Sequence, residues 1–287
     1  MKVVFLFGFL GAGKTTLLRR ILSAPPPEGG LAVIVNEFGD VGIDGTLLED
    51  QAENMVELPS GCVCCELQGP LVEALEDLQE DYDHVIVEAS GVAQPGALVA
   101  ALADTVTLAP LVTVVDAARF ARLIAGLGPF YREQVANADL VVLNKTDLAT
   151  PEQLAGALAA IAEISPEATV IPADHGDIDG APLFEGESRR SGSHGSHVHA
   201  DALTLTCETP IDGDALRRAF ATLPCPLWRA KGFADIDGVP SLIQYVPDRL
   251  EITPADGPHR HLVLIGPDLD REALAAHFAF AHPTPKP

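Results

Sequence analysis

Cationic residues are in short supply. The 287 residues include 18 lysines and arginines against 41 aspartates and glutamates, a formal net charge of -23. General nucleic-acid binding needs clustered Lys and Arg to displace counterions, so that class is disfavoured, and metal ions or cationic partners fit better. The acidic excess alone signals only a soluble surface. The lysines are Lys2, Lys14, Lys145, Lys231 and Lys286, and two of them fall inside the motifs described below. Long apolar runs are missing too, since none approaches the roughly 18 residues of a membrane span. Met1 and Lys2 lead straight into a strand-like Val3 to Phe7, without the small-residue cleavage site of a secretory leader. The expected compartment is the reducing cytoplasm, where the five cysteines serve as metal ligands or buried thiols rather than as disulfides.

What is present is enough chain for two cores. Residues 1–185 alternate short β-rich runs with helical patterns, which predicts an α/β fold: a P-loop NTPase parallel sheet with helices on both faces. Strands are expected at Val3 to Phe7, Ala32 to Val35, His84 to Glu88, Leu111 to Asp116, Leu140 to Asn144 and Thr169 to Pro172. Helices are expected to begin at Lys14, Gly69, Gln94, Ala117 and Pro151, the last with Thr150 as N-cap. Residues 186–199, rich in Gly, Ser and His, read as a linker. Residues 200–287 predict a smaller C-terminal α+β domain with a mainly antiparallel sheet and helices over Asp212 to Leu223 and Asp268 to Phe280.

Gly8-Phe9-Leu10-Gly11-Ala12-Gly13-Lys14-Thr15 matches G-x-x-x-x-G-K-[ST] between a strand and a helix, as the phosphate-binding loop requires. Backbone N–H groups of Gly8, Gly11, Ala12, Gly13 and Thr16 converge on phosphates at the helix N-terminus, Lys14 reaches the β and γ oxygens, and Thr15 offers a hydroxyl to Mg2+. Asn144-Lys145-Thr146-Asp147 follows a strand and reads as the N-K-x-D base-recognition loop. Asp147 can accept from N1–H and the exocyclic amine of guanine, a donor pair that adenine lacks; such a site can discriminate by roughly 10^4-fold or more. GTP is the expected nucleotide. Glu88 ends a strand, where a Mg2+-serving carboxylate stands, and Gly91 is placed to give its N–H to the γ-phosphate. Asn36-Glu37-Phe38-Gly39-Asp40 follows the second strand, at a loop position that reaches the nucleotide in such folds. Asp40 and Asp44 also fit simple helix caps.

Cys62-Val63-Cys64-Cys65 gathers three thiols within four residues. Three thiolates can hold one zinc-like ion, with a substrate, a water or a carboxylate completing the tetrahedron. No second pair with structural-zinc spacing exists, since only Cys207 and Cys225 remain. The plain alternative is a buried Cys cluster. His194, His197 and His199 form H-x2-H-x-H in the linker, where they can collect or pass on a metal or simply be solvated.

These motifs, together with Trp228-Arg229-Ala230-Lys231-Gly232-Phe233, occur in the order seen in the CobW family of GTPases, which the chain resembles over nearly its whole length. The C-x-C-C run and the second domain favour that family over the related urease and hydrogenase nickel-insertion GTPases. The resemblance implies a metal-handling GTPase that loads Zn2+, Co2+ or a similar ion into a client metalloprotein. It implies Cys62, Cys64 and Cys65 as metal ligands with Glu37 near the same ion, Lys14, Thr15 and Glu88 at phosphate and Mg2+, and Asn144, Lys145 and Asp147 at guanine. Gln134, in Arg132 to Leu140, also fits a family pattern and is assigned no chemistry. The family's histidine-rich stretch is short here.

The expected mechanism couples the thiols to the γ-phosphate through the segment from Asn36 to Gly91, which Mg-GTP orders and hydrolysis relaxes. Intrinsic turnover should be slow, because no arginine finger or water-positioning glutamine stands out. Two alternatives stay open: a metal-responsive regulatory module with GTP as a structural ligand, and a P-loop phosphotransferase, which N-K-x-D disfavours.

Overall fold

The computed structural model describes residues 1–24, 28–35, 55–57, 68–102, 106–189, 200–207, 209–247, 249–255, 260–280 and 282–283. The chain divides into two compact units, Met1–His197 and Val198–Pro287.

In the first unit the strands are β1 (Lys2–Phe7), β2 (Leu31–Val35), β3 (Met55–Glu57), β4 (His84–Glu88), β5 (Thr107–Leu108), β6 (Val112–Asp116), β7 (Leu140–Asn144) and β8 (Thr169–Pro172). They form one parallel sheet in the order β3-β2-β4-β1-β6-β7-β8, with β5 also paired to β1. Every residue of β6 and β7 is buried, so β7 is apolar up to Asn144 and β6 is interrupted only by Thr113 before Asp116. The helices are α1 (Lys14–Leu22), α2 (Gln68–Leu78), α3 (Pro95–Leu102), α4 (Phe120–Leu127), α5 (Pro129–Ala136), α6 (Pro151–Ile164) and the short α7 (Ala181–Phe184). Leu17, Leu18 and Ile21 of α1 pack on Val4, Leu6, Val112 and Val114 of the sheet. Each such buried side chain contributes roughly 1.5–3 kcal/mol.

The connection leaving β1 runs to β2 and the one leaving β4 runs past β1 toward β6. The loops at the carboxyl ends of these neighbouring strands therefore diverge, which opens a crevice there. The helix expected from Ala117 begins instead at Phe120, because the Asp116 carboxylate accepts the Arg119 N–H and holds a turn first. The run then breaks at Gly128 (φ 52°, ψ -126°) into α4 and α5, with Pro129 opening the second helix.

The second unit has β9 (Ala200–Thr206), α8 (Gly213–Ala221), β10 (Arg229–Ile236), β11 (Val239–Val246), β12 (Arg249–Pro254), β13 (His261–Pro267), α9 (Arg271–His277) and β14 (His282–Pro283). Its sheet is antiparallel in the order β12-β11-β10-β13-β9-β14. Both helices are shorter than expected: Asp212 and Asp270 set their starts as N-caps to Ala215 and Ala273, and the helices end at Ala221 and His277. Leu216 and Phe220 of α8 and Leu274 of α9 share one core with Leu205, Leu262 and Leu264 of the sheet. Among the described residues no helix is long and apolar enough to cross a membrane.

Candidate functional site

The phosphate loop joins β1 to α1, at the carboxyl edge of the sheet. Gly13 occupies the N-cap position of α1 at φ 107°, ψ 25°, without any side-chain cap. A Cβ there would stand 2.2 Å from Asn144 Nδ2, so only glycine lets the loop lie against that residue. The N–H groups of the first turn are thereby left for an anion. Lys14 is buried and its Nζ donates to Gly8 O at 2.9 Å, bending the side chain back along the loop. Phe9 is fully buried and meets Phe130 and Tyr131 of α5 edge-on, at 6.4 and 6.1 Å between ring centroids. Gly11 and Thr16 are exposed, whereas Ala12 is buried.

Glu88 ends β4 and is buried. Thr15 Oγ1 donates to Glu88 Oε1 at 2.7 Å, bringing together the hydroxyl and carboxylate that the sequence assigns to Mg2+. Two hard oxygen donors in contact beside a phosphate loop are a donor set that suits Mg2+, which is bound through few protein oxygens and completed by phosphate and water. Past Glu88, the 90–93 turn is held by Val92 N–H to Ser90 Oγ (3.3 Å) and Ala93 N–H to Ser90 O (2.9 Å). A Cβ on Gly91 would lie 2.5 Å from Leu10 Cγ, so the turn presses directly on the phosphate loop.

Asn144 is held between two neighbouring loops. It is buried, its Nδ2 donates to Ala12 O at 2.9 Å, and its Oδ1 accepts Gly176 N–H at 2.9 Å. It therefore ties the base-recognition loop to the phosphate loop and to the turn after β8. Lys145, at φ 60°, donates through Nζ to Gly11 O and, at 2.8 Å, to the buried Asp116 carboxylate. The Asp174 carboxylate accepts the Thr146 hydroxyl and, at 3.0 Å, the Asp147 N–H. With its backbone fixed in this way, the Asp147 carboxylate has one ion-pair contact among the described residues, His175 Nδ1 at 4.0 Å.

Lys14, Thr15, Glu88, Gly91, Asn144, Lys145 and Asp147 thus all border the carboxyl ends of β1, β4 and β7. The sequence pointed to neither Asp116, Asp174 nor Gly176. Each works through a partner 27 to 32 positions away, and a spacing of that kind carries no local signature. Tyr131, fully buried under Phe9, has its phenol pushed well above the ordinary tyrosine range by burial first and the Asp116 charge second, with Arg119 opposing.

The transition-metal assignments to Glu37, Cys62, Cys64 and Cys65, and those to His194, His197 and His199, lie outside the described residues. Among the described residues no group of three His, Cys, Asp or Glu side chains could hold a metal ion. Cys207 is buried and its thiol is pushed up to about 11 by desolvation, in keeping with an inert core thiol.

The chain is similar to known proteins over nearly its whole length. Residues 2–172 match the CobW/HypB/UreG nucleotide-binding domain, and residues 200–281 match the cobalamin synthesis protein CobW C-terminal domain. The chain is 33% identical to the zinc chaperone YjiA of Escherichia coli, covering 96% of this chain and 97% of that protein. It is 32% identical to the zinc chaperone CobW of Pseudomonas aeruginosa, over 96% and 90% of the two chains. A solved structure of the Zn(II)-bound YjiA GTPase from E. coli is similar at 26% identity with a TM-score of 0.50, covering 97% of this chain and 98% of that one. The chain belongs to the CobW/HypB/UreG family of nucleotide-binding proteins and has the CobW two-domain form.

Proposed function

We propose that this protein is a GTP-dependent zinc metallochaperone. It hydrolyses GTP and uses the nucleotide state to set the affinity of Cys62, Cys64 and Cys65, with Glu37 as a further candidate ligand, for an ion passed to a client metalloprotein. The observation that carries the nucleotide half is the Thr15–Glu88 contact beside an uncapped α1, with the Asn144–Asp147 loop tied to the same phosphate loop. The zinc half is supported by the names of relatives alike over nearly the whole chain, and by the three thiols. Thiolates also suit cobalt(II), but the two relatives alike over nearly the whole chain are named zinc chaperones.

In hydrolysis a water adds to the γ-phosphorus as the bridging bond to the β-phosphate breaks, giving GDP and phosphate. Lys14 and the first N–H groups of α1 offset charge on the phosphate oxygens, and Gly91 N–H contacts the γ-phosphate. Thr15 and Glu88 would hold Mg2+, which would supply further charge neutralisation on the phosphates. Asp147 selects guanine, while Asn144 and Lys145 keep its loop in register with the phosphate loop. Loss of the γ-phosphate frees the Gly91 turn, and the change passes through the segment from Asn36 to Gly91 to the thiols.

The test is a zinc titration of the full chain loaded with GDP or with a non-hydrolysable GTP analogue. Zinc should bind at least about fivefold more tightly with the analogue, and by linkage zinc should tighten analogue binding by the same factor. Equal zinc affinity in the two states removes the coupling and leaves the regulatory-module reading.

A further inference from the structure

Gln134 has no part in the reading above, yet its side chain is completely buried and both of its amide hydrogens are committed. Nε2 donates to Ala93 O at 2.9 Å and to Gly91 O at 3.3 Å, so one side chain on α5 grips the 90–93 turn at two carbonyls. The residue is itself anchored. Its backbone carbonyl, in the last turn of α5 where a helix lacks its own donors, accepts the Thr113 hydroxyl at 2.8 Å. Thr113 lies on β6 opposite Phe7, the final residue of the strand that feeds the phosphate loop.

α5 therefore holds both sides of the contact between Gly91 and the phosphate loop. Phe130 and Tyr131 pack on Phe9, and Gln134 holds the turn whose Gly91 abuts Leu10. Packing alone does not call for an amide here. Gln134 Oε1 accepts no hydrogen bond from any described residue, and a half-satisfied buried amide costs stability that a methionine of similar shape would not.

We propose that Gln134 is a positioning residue for GTP hydrolysis, which fixes the Gly91 turn against the phosphate loop so that Gly91 N–H discriminates GTP from GDP. The proposal rests on the reading of Gly91 as the γ-phosphate contact. A structural role alone would lower stability and weaken GDP and GTP binding together. A positioning role moves turnover and the preference for GTP over GDP, and leaves GDP binding, which does not involve Gly91, in place.

The experiment compares the full-length wild type with Gln134→Met, Gln134→Glu and Thr113→Val. Single-turnover GTP hydrolysis is measured alongside affinities for GDP and for a non-hydrolysable GTP analogue. Gln134→Met should hydrolyse GTP about tenfold more slowly and lose most of its preference for the analogue, with GDP affinity within about twofold of wild type. Gln134→Glu should also lose rate, because a carboxyl group offers at most one proton to the two carbonyls. Thr113→Val, which only loosens the anchor, should lose about threefold in rate in the same pattern. Wild-type turnover in Gln134→Met, or a parallel loss of GDP and analogue binding, overturns the proposal. If neither Gln134 variant folds, Thr113→Val decides on the same two criteria. Equal affinity of the unmodified protein for GDP and the analogue strikes instead at the Gly91 reading. A normal wild-type preference that survives in Gln134→Met removes only the role of Gln134.

Discussion

In the first unit Lys14, Glu88, Asp116, Gln134 and Asn144 are all buried, crowded around one end of a parallel sheet; in the second, Ser241 is the one buried polar side chain among the described residues. Helix ends differ where the site is concerned. Asp212 and Asp270 cap α8 and α9 with their side chains, as Thr150 caps α6 in the first unit, while α1 at the site starts from a glycine that caps nothing. Buried charge and an open helix end both cost stability, and a fold keeps them where a ligand uses them. The second unit is built for packing. The first gives up some stability to keep a site.

Lys14→Ala tests this contrast with the largest effect. GTP turnover should fall about 10^3-fold, equivalent to roughly 4 kcal/mol of transition-state stabilisation, while thermal unfolding of the protein moves little or rises. A large drop in melting temperature would mean that the lysine is structural. Leu264→Ala is the converse change, in a fully buried position of the second core. It should cost roughly 2–5 kcal/mol in denaturant unfolding of the second unit, with nucleotide affinity unchanged. Asp270→Ala removes the α9 cap and should cost about 1 kcal/mol, again without effect on turnover.

A last effect concerns pH and reaches the second unit through one buried thiol. The Cys207 thiol is raised from its ordinary 9.0 to about 11 by burial, so in this range the unfolded chain gives up its proton before the folded one does. The contribution is fully present below about pH 9 and declines as pH rises toward 11. A Cys207→Ala variant should show a flatter stability profile across that window. An identical profile would assign alkaline loss to other groups.

Much of the first unit was legible because its signals are local. A β-rich run ending in Gly8 and followed by Lys14 places strand, loop and helix at once, and the observed bounds agree. Legibility failed where tertiary contacts set the boundary. The Asp116 turn delayed α4, and Gly128 split an apolar pattern that reads as one helix. Short strands such as Met55–Glu57 and Thr107–Leu108 have too few residues to show a period, and Arg249–Pro254 is a half-exposed edge strand. In the site, Asn144 was named from its motif, and its side chain joins Ala12 and Gly176 across the fold. The residue type was readable; the pairing across 132 positions was not.

The most direct test of nucleotide-driven metal release follows zinc transfer to a fluorescent chelator and phosphate production in one rapid-mixing experiment. The full-length protein is first loaded with zinc and GTP, or with zinc and the non-hydrolysable analogue. Zinc should appear on the chelator at the rate of GTP hydrolysis, and its transfer from the analogue complex should be at least about fivefold slower. Equal transfer rates from the GTP and analogue complexes would contradict the account.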